Sequence, residues 1–160
     1  MIMPSIVSRI VEVFVFRFRD VQPEYLLLKR SRSDSLYPGI WQVVTGTLHE
    51  GEPAVHGALR ELQEETSLKP VRMWTVPHVV LFYDRVADAM NVNPLFAVQV
   101  PPSAEPVLSS EHEEFVWLPA DAAARLLVWP GQREGLYVVE RSIAGGERAM
   151  GLSEIPLPPS

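Results

Sequence analysis

The chain has 160 residues, 47% hydrophobic and 21% charged, enough for one folded unit with its own core. A net charge of -6 without a basic stripe argues against a sequence-independent nucleic-acid binder, and the absence of cysteine excludes disulfides, zinc–thiolate sites and cysteine nucleophiles. Arg9, Glu12, Arg17 and Arg19 interrupt the apolar start, so neither a signal peptide nor a membrane span is expected and a cytoplasmic protein is the default.

In chain order, residues 6–18 are rich in β-branched and aromatic side chains and read as a strand, with Val11, Val13 and Val15 alternating against Glu12 and Phe16. Residues 25–30, YLLLKR, read as a second, short and buried strand. SRSDSLYPGI is a turn-rich loop, and residues 41–46, WQVVTG, are a third strand ending at a glycine. Pro53 suits the first position of a helix, where its missing N–H is not needed. Ala54, Val55, Ala58, Leu59 and Leu62 then recur at helical spacing and predict a helix over 53–66, which Pro70 keeps from extending. Residues 71–84 read as a strand that Pro77 is placed to interrupt, and 91–100 as its hairpin partner. Phe82 and Tyr83 on the first of these read as core residues. A polar loop, a short strand at 115–118, a helix opening at Pro119 and a helix over about 132–143 follow. Residues 151–160 read as an extended or disordered tail behind one domain over 1–150. The order implies an α/β fold with a mixed β-sheet between helices.

Residues 60–68, RELQEETSL, carry the chemistry. At about 100° per residue, Glu65 and Glu64 fall roughly 40° and 60° to either side of Glu61. Three carboxylates on one helix face repel each other and raise their own pKa values. A solvated acidic face is the bland account. A divalent cation relieves the repulsion directly, and ligands that are all oxygen suit Mg²⁺ or Mn²⁺ rather than zinc.

The frame around the helix favours the cation. Gly46, Glu52, Arg60, Glu61, Leu62, Glu64, Glu65 and Leu68 follow the spacing G-x5-E-x7-R-E-U-x-E-E-x-G-U, with Ser67 in place of the last glycine. This pattern resembles the Nudix box, and chance would produce it on the order of once in a million chains of this length. The resemblance implies a Nudix-type α/β/α sandwich and a hydrolase acting on a nucleoside diphosphate linked to another group. It implies that Glu61, Glu64 and Glu65 hold metal together with the carbonyl of Gly46. Arg60 and Glu52 would form a supporting ion pair. Glu61, Glu64, Arg60 and Glu111 make up the expected catalytic set, with Glu111 as first choice for the base on a later loop and Glu113 and Glu114 as its rivals. His112 beside them reads as an exposed loop residue.

The segments WQVVTGTLHEGE and EHEEFVWLPADAA resemble the bacterial dATP pyrophosphohydrolases, also described as dihydroneopterin triphosphate pyrophosphatases. That likeness implies a small (deoxy)nucleoside or pterin triphosphate as substrate, with monophosphate and pyrophosphate as products. Arg30 and Arg32 suit its phosphates. Gln42 is placed to hydrogen-bond it, and Trp41 is either a stacking platform or a core residue. Thr45 and His49 depart from the commoner box residues and leave the substrate open. A dinucleoside polyphosphate or nucleotide-sugar hydrolase is the alternative, and a non-catalytic Nudix-fold nucleotide sensor is a second. No nucleic-acid or membrane partner is expected, and the protein reads as a monomer or homodimer.

Overall fold

A strand covered on both faces loses the polar alternation of a half-exposed one, and residues 10–19 form such a strand. In the computed structural model, which describes residues 3–159, β2 (Ile10–Arg19) lies inside a nine-stranded mixed sheet. The other strands are β1 (Ser5–Val7), β3 (Gln22–Arg30), β4 (Trp41–Gln42), β5 (Val44–Thr47), β6 (Arg72–Asp84), β7 (Ala89–Gln99), β8 (His112–Leu118) and β9 (Glu154–Ile155). The main path is β4-β3-β2-β7-β6-β9, with β1 added to β7, β5 to β2 and β8 to β3. β7 runs parallel to β1 and β2, and the remaining pairs are antiparallel.

The pleat sends alternate β2 side chains to two different layers. Val11, Val13 and Val15 pack with Leu26, Leu28, Val44 and Val98 under helix α1 (Ala54–Thr66). Phe14 and Phe16 pack with Leu27, Trp74, Leu95 and Ala97 under α2 (Ala120–Leu126), α3 (Pro130–Val138) and a π-helical turn, Val139–Ala144. The result is the expected α/β/α sandwich around a mixed sheet.

Several local expectations change. The strand read over 6–18 divides into β1 and β2, and the one over 41–46 into β4 and β5. Pro53 is the N-cap of α1, so the helix begins at Ala54, one residue later than expected. Pro77 does not end β6; the pairing with β7 shifts register between Thr75 and Val79 and then resumes. Phe82 and Tyr83 are exposed, as is Leu81, because β9 pairs with β6 only at Met73 and Trp74 and leaves this end of β6 as an edge. The segment read as a tail closes a short helix, α4 (Arg148–Ser153), and contributes β9, which pairs with β6. Arg72 fixes it there through two hydrogen bonds of 2.8 Å to Glu154. No helix among the described residues is long and apolar enough to cross a membrane.

Helix α1 ends at Ser67, which sits in the left-handed region at φ 57° and donates its N–H to the Gln63 carbonyl. A side chain there costs up to about 1 kcal/mol. Ser67→Gly is therefore expected to raise the urea midpoint slightly without changing the slope of the transition. A lowered midpoint would show that the serine relieves more strain than it causes.

Candidate active site

The glutamate face is built by three chain segments meeting at one end of α1. The first is β5, which lays Gly46 against the helix. A Cβ on Gly46 would stand 1.9 Å from Cδ of Glu61, so the absence of a side chain is what lets the Glu61 carboxylate lie over this strand. The second is the loop 48–52. Arg60 grips Glu52 with both arms of its guanidinium, Nε to Oε1 at 2.7 Å and an Nη to Oε2 at 2.9 Å. Such a fork fixes orientation as well as distance. The same guanidinium donates to the Thr47 carbonyl at 3.1 Å, to Glu61 at 2.8 Å and to Glu64 at 3.2 Å. Glu52 also accepts the His49 N–H at 2.9 Å, and these donors hold its carboxyl down to about 2.

The third segment is the loop before β8. The N–H of Val107 donates to the Thr66 carbonyl at 2.8 Å and that of Ser109 to the Glu65 carbonyl at 3.4 Å. These bonds tie the loop to the end of α1 and deliver Glu111 to the acid face. One ligand atom each from Glu65, Glu111 and His112 lie within 4.8 Å of one another.

Burial separates the three box glutamates. Glu65 is only 2% exposed and Glu61 8%, while Glu64 is open to solvent. Burial is the largest influence on both inner carboxyls; like-charge repulsion comes second at Glu65, while at Glu61 the opposing Arg60 guanidinium comes before the repulsion of Glu64 and Glu111, so the sequence argument named a smaller cause. Glu65 is pushed up to about 9, by desolvation first and then by Glu61 and Glu111; the Thr45 N–H and the charge of Arg30 oppose this. Arg60 accounts for one Glu61 oxygen. Glu65 Oε2 is buried with no hydrogen-bond partner among the described residues.

Glu111 differs from its two rivals. Lys29 reaches Glu113 at 3.4 Å and Glu114 at 2.9 Å, which holds both of them along β8. Glu111 instead faces Glu61 and Glu65 closely enough to raise their pKa values. His112 is not an exposed loop residue. It is buried, and its Nε2 accepts a 3.0 Å hydrogen bond from the side-chain amide of Gln42, which is buried too. That bond leaves the proton on Nδ1. Burial lowers the His112 pKa to about 4, with the nearby charge of Arg30 adding to the effect, so the ring is neutral at physiological pH. The Gln42 amide is therefore engaged inside the protein by His112.

Arg30 pairs with Asp34 and donates to the Leu36 carbonyl at 2.8 Å, yet lies near enough to act on Glu65 and His112. Arg32 is solvent-exposed and turned to Glu113 at 3.5 Å, away from the acid face. Trp41 is half-buried against the core beside Leu127 and under the Lys29 ammonium, which favours its core role over a free stacking platform.

A model of the NUDIX domain matches residues 8–138. The chain belongs to the Nudix family. An octanoyltransferase of Myxococcus xanthus is 34% identical over 127 residues, which cover 79% of this chain but 35% of that protein, so most of the relative lies outside the shared segment. Dihydroneopterin triphosphate diphosphatase of Escherichia coli is 30% identical over 134 residues, 76% of this chain and 86% of the relative. The solved structure of E. coli dihydroneopterin triphosphate pyrophosphohydrolase superposes with a TM-score of 0.66 at 26% identity, covering 84% of this chain and 99% of that one. The Nudix fold here thus comes with pyrophosphatase relatives.

The Nudix box residues of this chain suit a hard divalent cation. The carboxylates of Glu65 and Glu111 converge from α1 and from the loop before β8, and Glu65, the more buried of them, has an oxygen with no hydrogen-bond partner among the described residues. Sequence reasoning missed a second polar cluster. Glu12 of β2, Asn93 of β7 and Gln132 of α3 are all buried on the opposite face of the sheet. A lone glutamate within the apolar run of residues 10–16 was the available signal.

Proposed function

We propose that this Nudix protein is a metal-dependent pyrophosphohydrolase of a small nucleoside or pterin triphosphate. The observation that carries the reading is the buried Glu65, with its unserved oxygen, set between Glu61 and Glu111. Glu61, Glu65 and the Gly46 carbonyl would hold Mg²⁺, with Mn²⁺ as a substitute and with Glu64 and Glu111 at the rim. Bound there, the cation would neutralise phosphate oxygens and lower the barrier to attack by water. Arg60 keeps Glu61 and the 48–52 loop in register with the helix. Arg30 supplies a fixed positive charge beside the phosphates. Glu111 takes a proton from the attacking water, whose oxygen joins one phosphorus as the α–β bridge breaks and pyrophosphate leaves. The proposed setting is the cytoplasm, where such triphosphates are found.

The reading is tested with purified protein, with and without Mg²⁺, on a panel of dihydroneopterin triphosphate, dATP, dGTP, a diadenosine polyphosphate and ADP-ribose. Pyrophosphate release from a triphosphate, dependent on the cation and reduced about a hundredfold or more by Glu111→Gln, is expected. Faster cleavage of the dinucleotide or the sugar nucleotide would transfer the assignment to those substrates. No cation-dependent hydrolysis of any member would leave a binding protein instead.

A further inference from the structure

The outer side of β6 is left without a neighbour over most of its length. β9 pairs with it only at Met73 and Trp74, while residues 79–84 pair with β7 on the inner side. Among the described residues no strand serves the outer edge of that stretch. Sheet edges are usually kept from pairing by lysines, prolines or bulges. Here Pro77 and the register shift between Thr75 and Val79 guard the start of the segment. Beyond them VVLFYD, residues 79–84, carries no charge before Asp84. Val79 is 46% exposed, Leu81 60%, Phe82 38% and Tyr83 52%.

The exposure continues across the sheet. Directly opposite residues share a face. Tyr83 stands opposite Met90, and Met90 opposite Ile6 of β1, which is 77% exposed. Leu81 stands opposite Val92, which is half-buried. An apolar strip therefore crosses three strands and ends at the open edge of β6. Free backbone groups beside an apolar face suit an added antiparallel strand.

The residues of the edge name that strand. Turned end for end about Leu81, the segment is complementary to itself: Val80 meets Phe82, Val79 meets Tyr83 and His78 meets Asp84. β-Branched against aromatic side chains are favourable cross-strand pairs, and no like charges face each other. The polar ends are within reach of such a partner. His78 has only Glu134 of α3 near it as a counter-charge, at 3.7 Å. Asp84 accepts the N–H groups of Val86 and Ala87 at 2.9 and 3.2 Å, both through Oδ1, which leaves Oδ2 for a donor across the edge. Neighbouring registers lose this match. One centred on Val80 sets His78 against Phe82, and one centred on Phe82 sets Asp84 against Val80.

We propose that the outer edge of β6 binds a second copy of this chain, the two β6 strands pairing antiparallel about a two-fold axis at Leu81. The two sheets then run on as one, and each contact off the axis is made twice. Tyr83 of each copy covers Val79 of the other. The contact is independent of the hydrolase reading, and its test requires no turnover.

The test is sedimentation equilibrium of the full chain over a micromolar dilution series. The wild type should give a mass about twice that of the 18.0 kDa chain. Leu81→Lys sets two ammonium groups opposite each other and should raise the dissociation constant at least about tenfold. Leu81 is exposed in the single chain, so the circular dichroism of this variant should stay native. The register is read separately, because the chain has no cysteine of its own. Leu81→Cys places two thiols on Cα atoms about 4.5–5.5 Å apart across the axis, within reach of a disulfide, and should form a covalent dimer on mild oxidation. Val79→Cys places them about 13 Å apart along the strand and should not. A monomeric wild type would overturn the proposal and leave the edge to a strand of another protein. A dimer that Leu81→Lys does not weaken, or one that crosslinks through Val79→Cys as readily as through Leu81→Cys, would overturn it as well.

Discussion

Glu65→Gln is expected to lower cation-dependent turnover by at least about a thousandfold while leaving the circular dichroism spectrum native. Glutamine keeps the shape of the side chain and removes the charge that the cation needs. The same change should stabilise the metal-free protein. The Glu65 carboxyl ionises near 4.5 when unfolded and near 9 when folded, because burial and the neighbouring acids oppose its charge. Between those values the unfolded chain has released a proton that the folded chain retains. Wild-type stability therefore falls as pH rises through this window, and glutamine has no proton to lose. In the presence of a chelator, the variant should melt above the wild type at about pH 8 and close to it at about pH 4.5. A variant that melts lower at about pH 8 would show that the Glu65 charge is stabilised by something other than a cation.

Gly46→Ala should also damage activity, less severely and by a different route. Gly46 sits in β5 outside the left-handed region, so its backbone accepts alanine. The nearest conflict is with Glu61, whose Cδ, Oε1 and Cγ stand 1.9, 2.2 and 2.3 Å from the new Cβ. The carboxylate must swing off the strand and loosen its contact with Arg60. A displacement of that size costs about a hundredfold in turnover. The variant should fold, because Glu61 lies at the edge of the packed layer. Turnover within a few-fold of wild type would remove Glu61 from the site.

The acid face was legible in the sequence because the box couples spacing to chemistry. Gly46, Glu52, Arg60, Glu61 and Glu65 meet as a loop–helix unit whose partners lie within about twenty residues of one another. The sandwich was legible for a similar reason, since the apolar period of residues 54–62 and the β-branched runs fix element type. Less legible was everything set by long-range pairing. His112 read as an exposed residue because its neighbours Glu111, Glu113 and Glu114 are charged; only the β3–β8 pairing and the approach of Gln42 from β4 bury it. Phe82 and Tyr83 read as core by composition, but nothing in their own segment tells that β9 covers β6 only at Met73 and Trp74. The last residues read as a tail because proline dominates 156–159, while Arg72, about eighty positions earlier, holds Glu154 on β6. Glu12 illustrates the same limit, since its hydrogen-bond partner Gln132 lies 120 residues away.

The account rests on the glutamate face being a cation site, and Mn²⁺ binding followed by electron paramagnetic resonance tests it most directly. Bound Mn²⁺ loses the sharp six-line signal of the free ion, so occupancy is read without substrate and without turnover. The wild-type protein at neutral pH is expected to remove the free-ion signal in a titration that competes with Mg²⁺. Glu65→Gln should leave most of that signal in place. Equal Mn²⁺ binding by the two proteins would contradict the assignment of Glu65 as the central ligand and, with it, the proposed chemistry.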